Sequence, residues 1–434
     1  MRTIDLRGRE LSPAAMLAAV PRASQARAEA LDTAVRIVDD VRERGEIALR
    51  EQAERFDRVA GHAIRVPSAH IEEALTNLSP DVRAALEEAI RRVRIASAAQ
   101  VPATQVTEIG EGARITQRWQ PVHRVGVYIP GGKAVYPSSV IMNVVPAQVA
   151  GVSQIALASP PQADQDGRVH PTILAAAGLL GVTEVYAMGG AGAIGAFAWG
   201  VPAVDLDPVD VLSGPGNNYV ASAKRAVAGV VGTDSEAGAT EILVVADAAA
   251  DPRLIAADLV SQAEHDEQAS AVLVTDSEDL AARVAAEVAE LAGATRHAER
   301  VAAALAGPQS AIVLVDDRAM ATEFSNAYAP EHLELHLEDA EDAAASFTSA
   351  GAVFVGDQTP VSLGDYLAGS NHVLPTGGQA RYAPGLGAYT FLRPQQVISY
   401  DRAALAAVRE GVVALANTEV LPAHGEAIEA RFTA

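Results

Sequence analysis

The chain has 434 residues, a net charge of −22, and 49% hydrophobic, 20% charged and 4% aromatic residues, the profile of an α/β protein and not of a disordered or fibrous one. At roughly 100–200 residues per domain, this length implies two or three domains with a sizeable core. The acidic balance argues against nucleic acid and anionic membrane as partners, and the absence of cysteine excludes disulfides, thiolate nucleophiles and Cys-type metal sites, so any metal must be held by nitrogen and oxygen.

The opening residues, MRTIDLRGREL, carry charges where a signal peptide needs an apolar run. No stretch reaches the ~20 apolar residues of a membrane span, so a cytoplasmic location is expected. From Pro13 to about Gln100 the apolar residues recur three and four apart, which predicts helices; Arg42 to Val59 reads as one amphipathic helix. This part is expected to be scaffold.

Between Arg114 and Ala150 the character changes. Arg124 to Gly132 (RVGVYIPGG) predicts a strand stopped by a glycine turn, and a helix begins behind Ser138 or Ser139. QIALASPP, PTILAAAGLLG and TEVYAMGG continue the strand–helix alternation of a parallel sheet covered by helices. Gly190, Gly192 and Gly195 then spell G-x-G-x-x-G after a strand. That spacing suits either a dinucleotide fingerprint or a close-packed helix start.

In VDVLSGPGNNYVASAKRAV (Val209 to Val227) a strand ends in Gly214-Pro215-Gly216, followed by two asparagines and a helix with Lys224 and Arg225. Backbone N–H groups at such a turn can receive phosphate or ribose; a plain strand-to-helix turn would look the same. Ala237 to Asp247 predicts a strand with Thr240 and Glu241 at its entrance. On the helix that follows, Gln262 and His265 are three apart and share one face, as metal ligands or as an exposed polar patch.

The stretch NAYAPEHLEL (Asn326 to Leu335) places a carboxylate and an imidazole side by side after a proline. Pro330 is expected to bring the chain in extended. Leu333, Leu335 and Leu337 alternate with His332, Glu334, His336 and Glu338, which predicts a half-buried strand with Glu331 and His332 at its mouth. The pair suits proton transfer; the polar face could equally be solvated or, through His332, Glu334 and His336, hold a metal. Pro360 to Gly378 reads as a binding loop with Asp365, Asn371 and His372, and a helix from about Arg402 to Ala416 precedes Glu419, His424 and a second helix.

Taken together, RVGVYIPGG, GPGN, SQAEHD, APEHLEL, GDYLAGSNHVLPTGG and LPAHGEA, in this order and spacing, resemble histidinol dehydrogenase over nearly the whole chain. The resemblance implies two incomplete Rossmann-like parallel-sheet domains, a helical N-terminal arm and a C-terminal helical tail, in an intertwined homodimer. The expected division is 1–24 as the arm, 25–127 with 238–378 as the larger α/β domain carrying metal and catalytic residues, 128–237 as the NAD-side domain, and 379–434 as the tail reaching the partner subunit.

By the same resemblance, Gln262, His265, Asp365 and His424 would ligate one zinc per subunit, and Glu331 and His332 would be the acid/base pair. Thr240, His332, Glu419 and the metal ligands would line the L-histidinol pocket, with Tyr128, Gly192 and Asn217 on the NAD side. The implied reaction is oxidation of L-histidinol to L-histidine through a bound aldehyde, with two NAD reduced. Three positions depart from the family pattern: Gly192 stands where glutamine is usual, which removes a side-chain contact to NAD; Ala239 stands for proline; and Ala383-Pro384 stands for paired serines. A zinc hydrolase and a non-catalytic small-molecule binder are the rival readings, and demand for NAD separates the hydrolase from the dehydrogenase.

Overall fold

The computed structural model describes residues 1–22, 27–131, 134–236 and 238–433. The expected boundary at 24 and 25, Gly132 of the glycine turn and Ala237 at the head of the 237–247 strand lie outside the described residues. The chain forms two compact units, 1–100 with 122–391, and 101–121 with 392–434.

The first unit holds two parallel sheets. The larger has six strands in the order Arg2–Asp5, Ala311–Leu314, Ser270–Thr275, Glu241–Ala246, His332–His336 and Ala352–Val355, every neighbouring pair parallel. Its inner strands are buried on both faces: Ile242, Val244 and Ala246 pack against Ile255, Leu259 and Val284, while Leu243, Val245, Leu333 and Leu335 pack against Met16, Phe324 and Tyr328. Helices on both sides explain why these strands read as near-continuous apolar runs. One edge strand, Arg2–Asp5, was not expected in an arm read as helical. Four residues with a single half-buried apolar side chain between charges carry too little periodicity to announce a strand.

The smaller sheet runs Glu184–Ala187, Gln154–Ser159, Arg124–Tyr128, Val211–Ser213 and Gly232–Thr233, again all parallel. Its strand order reverses direction at Arg124–Tyr128, which opens a crevice beyond the carboxyl ends of that strand and Val211–Ser213. Against this sheet lie helices from the first hundred residues. The single helix expected over 42–59 is in fact broken: Arg27–Arg44 ends at Gly45, whose φ of +54° favours glycine, and Glu46–Gln52 leads into a wide π-helical turn, Ala53–Asp57.

The second unit has an antiparallel sheet in the order Leu392–Tyr400, Ala113–Pro121 and Gln105–Gly110, followed by the helices Arg402–Thr418 and Pro422–Glu429. An Arg409–Glu429 ion pair and the guanidiniums of Arg402 and Arg409 over the Phe432 ring, at 5.0 and 4.8 Å, clamp the two helices together. The tail is therefore helical only after a nine-residue strand.

Candidate active site

The helix Arg318–Tyr328 delivers the chain to the central strand His332–His336 through Ala329, which adopts the left-handed conformation, φ 48° and ψ 68°. The expected extended arrival is thus replaced by a helix cap: the Ala329 N–H bonds back to the Ser325 carbonyl at 2.7 Å. A residue before proline is pushed out of the right-handed helical region, and the left-handed cap satisfies that restriction as well as an extended strand does. The strand itself is buried throughout, not half-buried. Glu331 and His332 stand at its amino end, so this centre forms on the edge opposite to the one that usually takes ligands in parallel sheets.

Glu331 Oε2 accepts from the Thr240 hydroxyl at 2.5 Å and from the Glu241 N–H at 2.9 Å, and His332 Nδ1 lies 3.5 Å away. Burial pushes the Glu331 pKa up, against the pull of His332, the Thr240 hydroxyl and the Glu241 N–H. His332 Nδ1 is 3.0 Å from the Glu241 carbonyl oxygen. That oxygen can only accept, so in the neutral ring Nδ1 carries the proton and Nε2 keeps its lone pair. The Gln262 amide donates to the Thr240 hydroxyl, which links the end of the Pro252–Ala263 helix to the carboxylate.

Arg22 braces this corner from the arm. Its Nε pairs with the buried Glu241 carboxylate at 2.7 Å, its guanidinium lies 4.3 Å from the Tyr328 ring centre, and it donates to the Tyr328 and Ala329 carbonyls. Glu241 Oε1 also accepts the Gly377 N–H at 3.2 Å. Nothing in the local sequence around Arg22 signals this role.

Gln262 is the penultimate residue of its helix, and His265 lies just beyond the helix end, so they leave one terminus instead of sharing a helical face. The partial negative charge of a helix carboxyl end favours a cation there. Asp365, expected in a loop, sits on the short helix Val361–Tyr366, with Oδ2 3.9 Å from His265 Nε2. That separation is too long for a hydrogen bond but within reach of one shared ion, since ligand bonds of about 2.0–2.2 Å put two donors no more than about 4 Å apart. The imidazole nitrogen of His265 and the carboxylate of Asp365 are donor types that zinc accepts, at a separation one ion can span. His372, noted only as part of the loop, is half-buried here: Nδ1–H donates to the Asp365 carbonyl at 2.9 Å and Nε2 faces the Ser139 hydroxyl at 3.2 Å. Burial holds its pKa below the usual imidazole value.

The three polar residues of the strand do not act as one set. Glu334 and His336, further along the strand, join Asp258 instead, their ligand atoms all within 4.8 Å of one another and all three buried. Glu334 Oε1 accepts the Val361 N–H at 2.8 Å, and His336 Nε2 is 3.4 Å from Glu334 Oε2. Burial beside Glu334 pushes the Asp258 pKa up to about 7, with His336 pulling the other way.

Tyr128, Gly192 and Asn217 gather at the carboxyl edge of the smaller sheet. The buried Tyr128 hydroxyl accepts the Gly190 N–H at 3.0 Å, and burial pushes its pKa up to about 12. Asn217 caps the Asn218–Val227 helix by accepting from the Tyr219 and Val220 N–H groups at 3.0 and 3.2 Å. Gly214, at φ +121°, lets its turn lie on the Tyr128 carbonyl, which a Cβ would strike at 2.0 Å. Lys224 is not free for phosphate: it is buried and paired with Asp234 at 2.6 Å. Gly190, Gly192 and Gly195 all belong to the helix Gly190–Trp199, and a Cβ on Gly195 would press on the Val38 backbone at 3.2 Å, the close-packed helix start that was the alternative to a fingerprint.

Glu419 and His424 belong to the second unit: Glu419 caps the Arg402–Thr418 helix, His424 lies in Pro422–Glu429, and both are exposed. Among the described residues no helix is long and apolar enough to cross a membrane.

Against known proteins, residues 20–432 match the family described as histidinol dehydrogenase. The chain is 65% identical over 432 residues to the histidinol dehydrogenase of Leifsonia xyli subsp. xyli, covering 100% of this chain and 99% of that one. It is 56% identical to that of Thermobifida fusca, covering 99% and 97%. Among solved structures, the histidinol dehydrogenase of Elizabethkingia anophelis superposes with a TM-score of 0.93 at 32% identity, covering 100% of this chain and 98% of that one.

Proposed function

The chain belongs to the histidinol dehydrogenase family, and from that premise we propose that it oxidises L-histidinol to L-histidine through a bound aldehyde, reducing two NAD, in the cytoplasm. The observation that carries this reading is the state of His332. With Nδ1 committed to the Glu241 carbonyl, the neutral ring presents Nε2 as a base, next to a carboxylate whose pKa is raised by burial.

His332 Nε2 takes the hydroxyl proton as hydride passes to the nicotinamide ring, which gives the aldehyde. Glu331, whose Oε1 carries none of the three contacts made by Oε2, draws a proton from water as the water oxygen adds to the aldehyde carbon, and returns that proton to the former carbonyl oxygen, which gives the diol. After shedding its first proton to solvent, His332 takes one from the diol as the second hydride passes to the second NAD, and the carboxylic acid so formed loses its remaining proton to solvent to give the carboxylate. Thr240 and Gln262 hold the carboxylate in place throughout. A zinc ion held by Gln262, His265, Asp365 and His424 would supply a cationic anchor for the nitrogen donors of the substrate, without itself changing redox state.

We assign the chemistry to 238–378 and the NAD side to 128–237, through Tyr128, Gly192 and Asn217; of the 25–127 expected with the chemistry, Ala34, Val38, Val41 and Leu49 pack on the NAD side and 101–121 belong to the second unit. In a homodimer, the tail of a second subunit would bring Glu419 and His424 to this site, one zinc per subunit. Exposed Ile398, Leu415 and Val420 on the tail support this, since apolar side chains left in water favour burial against a partner. The test is NADH release by purified, zinc-loaded protein given L-histidinol and NAD. About two NADH per histidinol are expected from two hydride transfers, and none overturns the reading.

A further inference from the structure

Gln52 ends the helix Glu46–Gln52 beside the first turn of Gly190–Trp199. A Cβ built on Gly192 would lie 1.9 Å from Gln52 Oε1 and 3.4 Å from Leu49 Cδ2. The Gln52 carboxamide thus stands where a side chain at position 192 would begin, and glycine leaves room for it. Its other end is unsatisfied: Nε2 is buried with no hydrogen-bond partner. An orphaned buried N–H is rarer and costlier than an under-used carbonyl oxygen, so this amide is built to meet an acceptor that the polypeptide does not supply.

The surroundings say where that acceptor comes from. Three residues before Gly192, on the same side of the turn, a Cβ on Gly189 would meet Pro160 at 3.0 Å and Asp57 Oδ2 at 3.5 Å. Pro160 and Asp57 line a cavity of about 390 Å³ together with Phe56, Gly131, Pro161 and Gln162. It lies beyond the carboxyl ends of the strands Arg124–Tyr128 and Gln154–Ser159, the edge where a parallel sheet takes ligands. Gln52 and Asp57 bracket the same π-helical turn.

We propose that Gln52 is a cofactor-contacting residue of this chain, its carboxamide lying over Gly192 and bonding an oxygen of the NAD seated at this edge. The assignment rests on the NAD-dependent reading above. A half-turn about the terminal torsion exchanges the ends of the amide, so an acceptor arriving over Gly192 draws the NH2 out of its buried position and leaves the more tolerant oxygen inside. Gly192 and Gln52 act as a matched pair: the space one gives up, the other fills.

The experiment is calorimetric titration of the zinc-loaded protein with NAD, with melting temperature and zinc content measured in parallel. Gln52→Ala and the near-isosteric Gln52→Met should each weaken NAD binding about five- to tenfold, the loss of one hydrogen bond, without loss of zinc. The double variant Gln52→Ala with Gly192→Gln, which returns the amide from the neighbouring helix, should restore affinity to within about threefold. Wild-type-like NAD binding by both single variants, or no recovery in the double variant, overturns the proposal while leaving the dehydrogenase reading intact. Failure of the wild-type protein to bind NAD at all overturns both.

Discussion

His332 Nδ1 faces the backbone carbonyl oxygen of Glu241 at 3.0 Å, while the Glu241 N–H is spent on Glu331 at 2.9 Å. One peptide position thus orients both members of the acid/base pair, and because both bonds involve backbone, no side-chain change at 241 removes them directly. The two side chains can therefore be tested separately.

Glu331→Gln should leave the first NADH of a single turnover close to wild type and slow the second by about 10²–10⁴-fold, since hydration of the aldehyde loses its base. His332→Ala should slow both. Stopped-flow NADH absorbance with L-histidinol distinguishes them; equal slowing of both steps in Glu331→Gln would reassign the carboxylate.

Thr240→Val removes a donor that favours the ionised form of Glu331 and leaves the Gln262 amide without its partner. The Glu331 pKa, already raised by burial, then rises further. A base must be ionised to act, so the acid limb of the second oxidation should move to higher pH. Thr240→Ser, which keeps the hydroxyl, should follow the wild-type profile.

His265→Ala and His424→Ala should each lower zinc content, measured by mass spectrometry of the purified protein. If the tail completes a neighbouring site, mixing inactive His332→Ala and His424→Ala chains and allowing exchange should restore about a quarter of wild-type activity: half the dimers are hybrids, each with one intact site. No recovery would place both residues in the same subunit's site.

Asp258 keeps its proton to about pH 7 in the folded chain, whereas its usual value is 3.8. Folding takes up a proton between those limits, so stability falls as pH rises from about 4 through about 7 and stays reduced above. Asp258→Asn is neutral at every pH and can still donate to Glu334. Melting curves from pH 5 to 8.5 should show the wild type losing a few degrees that the variant keeps; parallel curves would count against the shared proton.

The proposed ligands and acid/base pair could be picked out as types and spacings because carboxylate, imidazole and amide chemistry is carried by individual letters. What surrounds them was not. Alternation in HLELH says only that side chains point two ways; that both ways are dry depends on Glu241–Ala246 and on helices far off in sequence. The grouping of Glu334 and His336 with Asp258 depends likewise on a helix far off in sequence. Ala329 shows the limit of a local rule, since the exclusion imposed by Pro330 left two conformations open and the helix cap chose between them. Arg22 and Gln52 act across hundreds or scores of intervening residues, and no local window contains their partners.

Glu331 and His332, the proposed acid/base pair, occupy the amino-terminal margin of one sheet, and Tyr128, Gly190 and Asn217 the carboxyl-terminal margin of the other. On the proposed assignment, alcohol and dinucleotide would have separate berths. Under the proposed reaction, spent NADH would depart and a fresh molecule take its place while the half-oxidised compound stayed moored at its own berth, so a reactive aldehyde would never be set adrift between the two rounds.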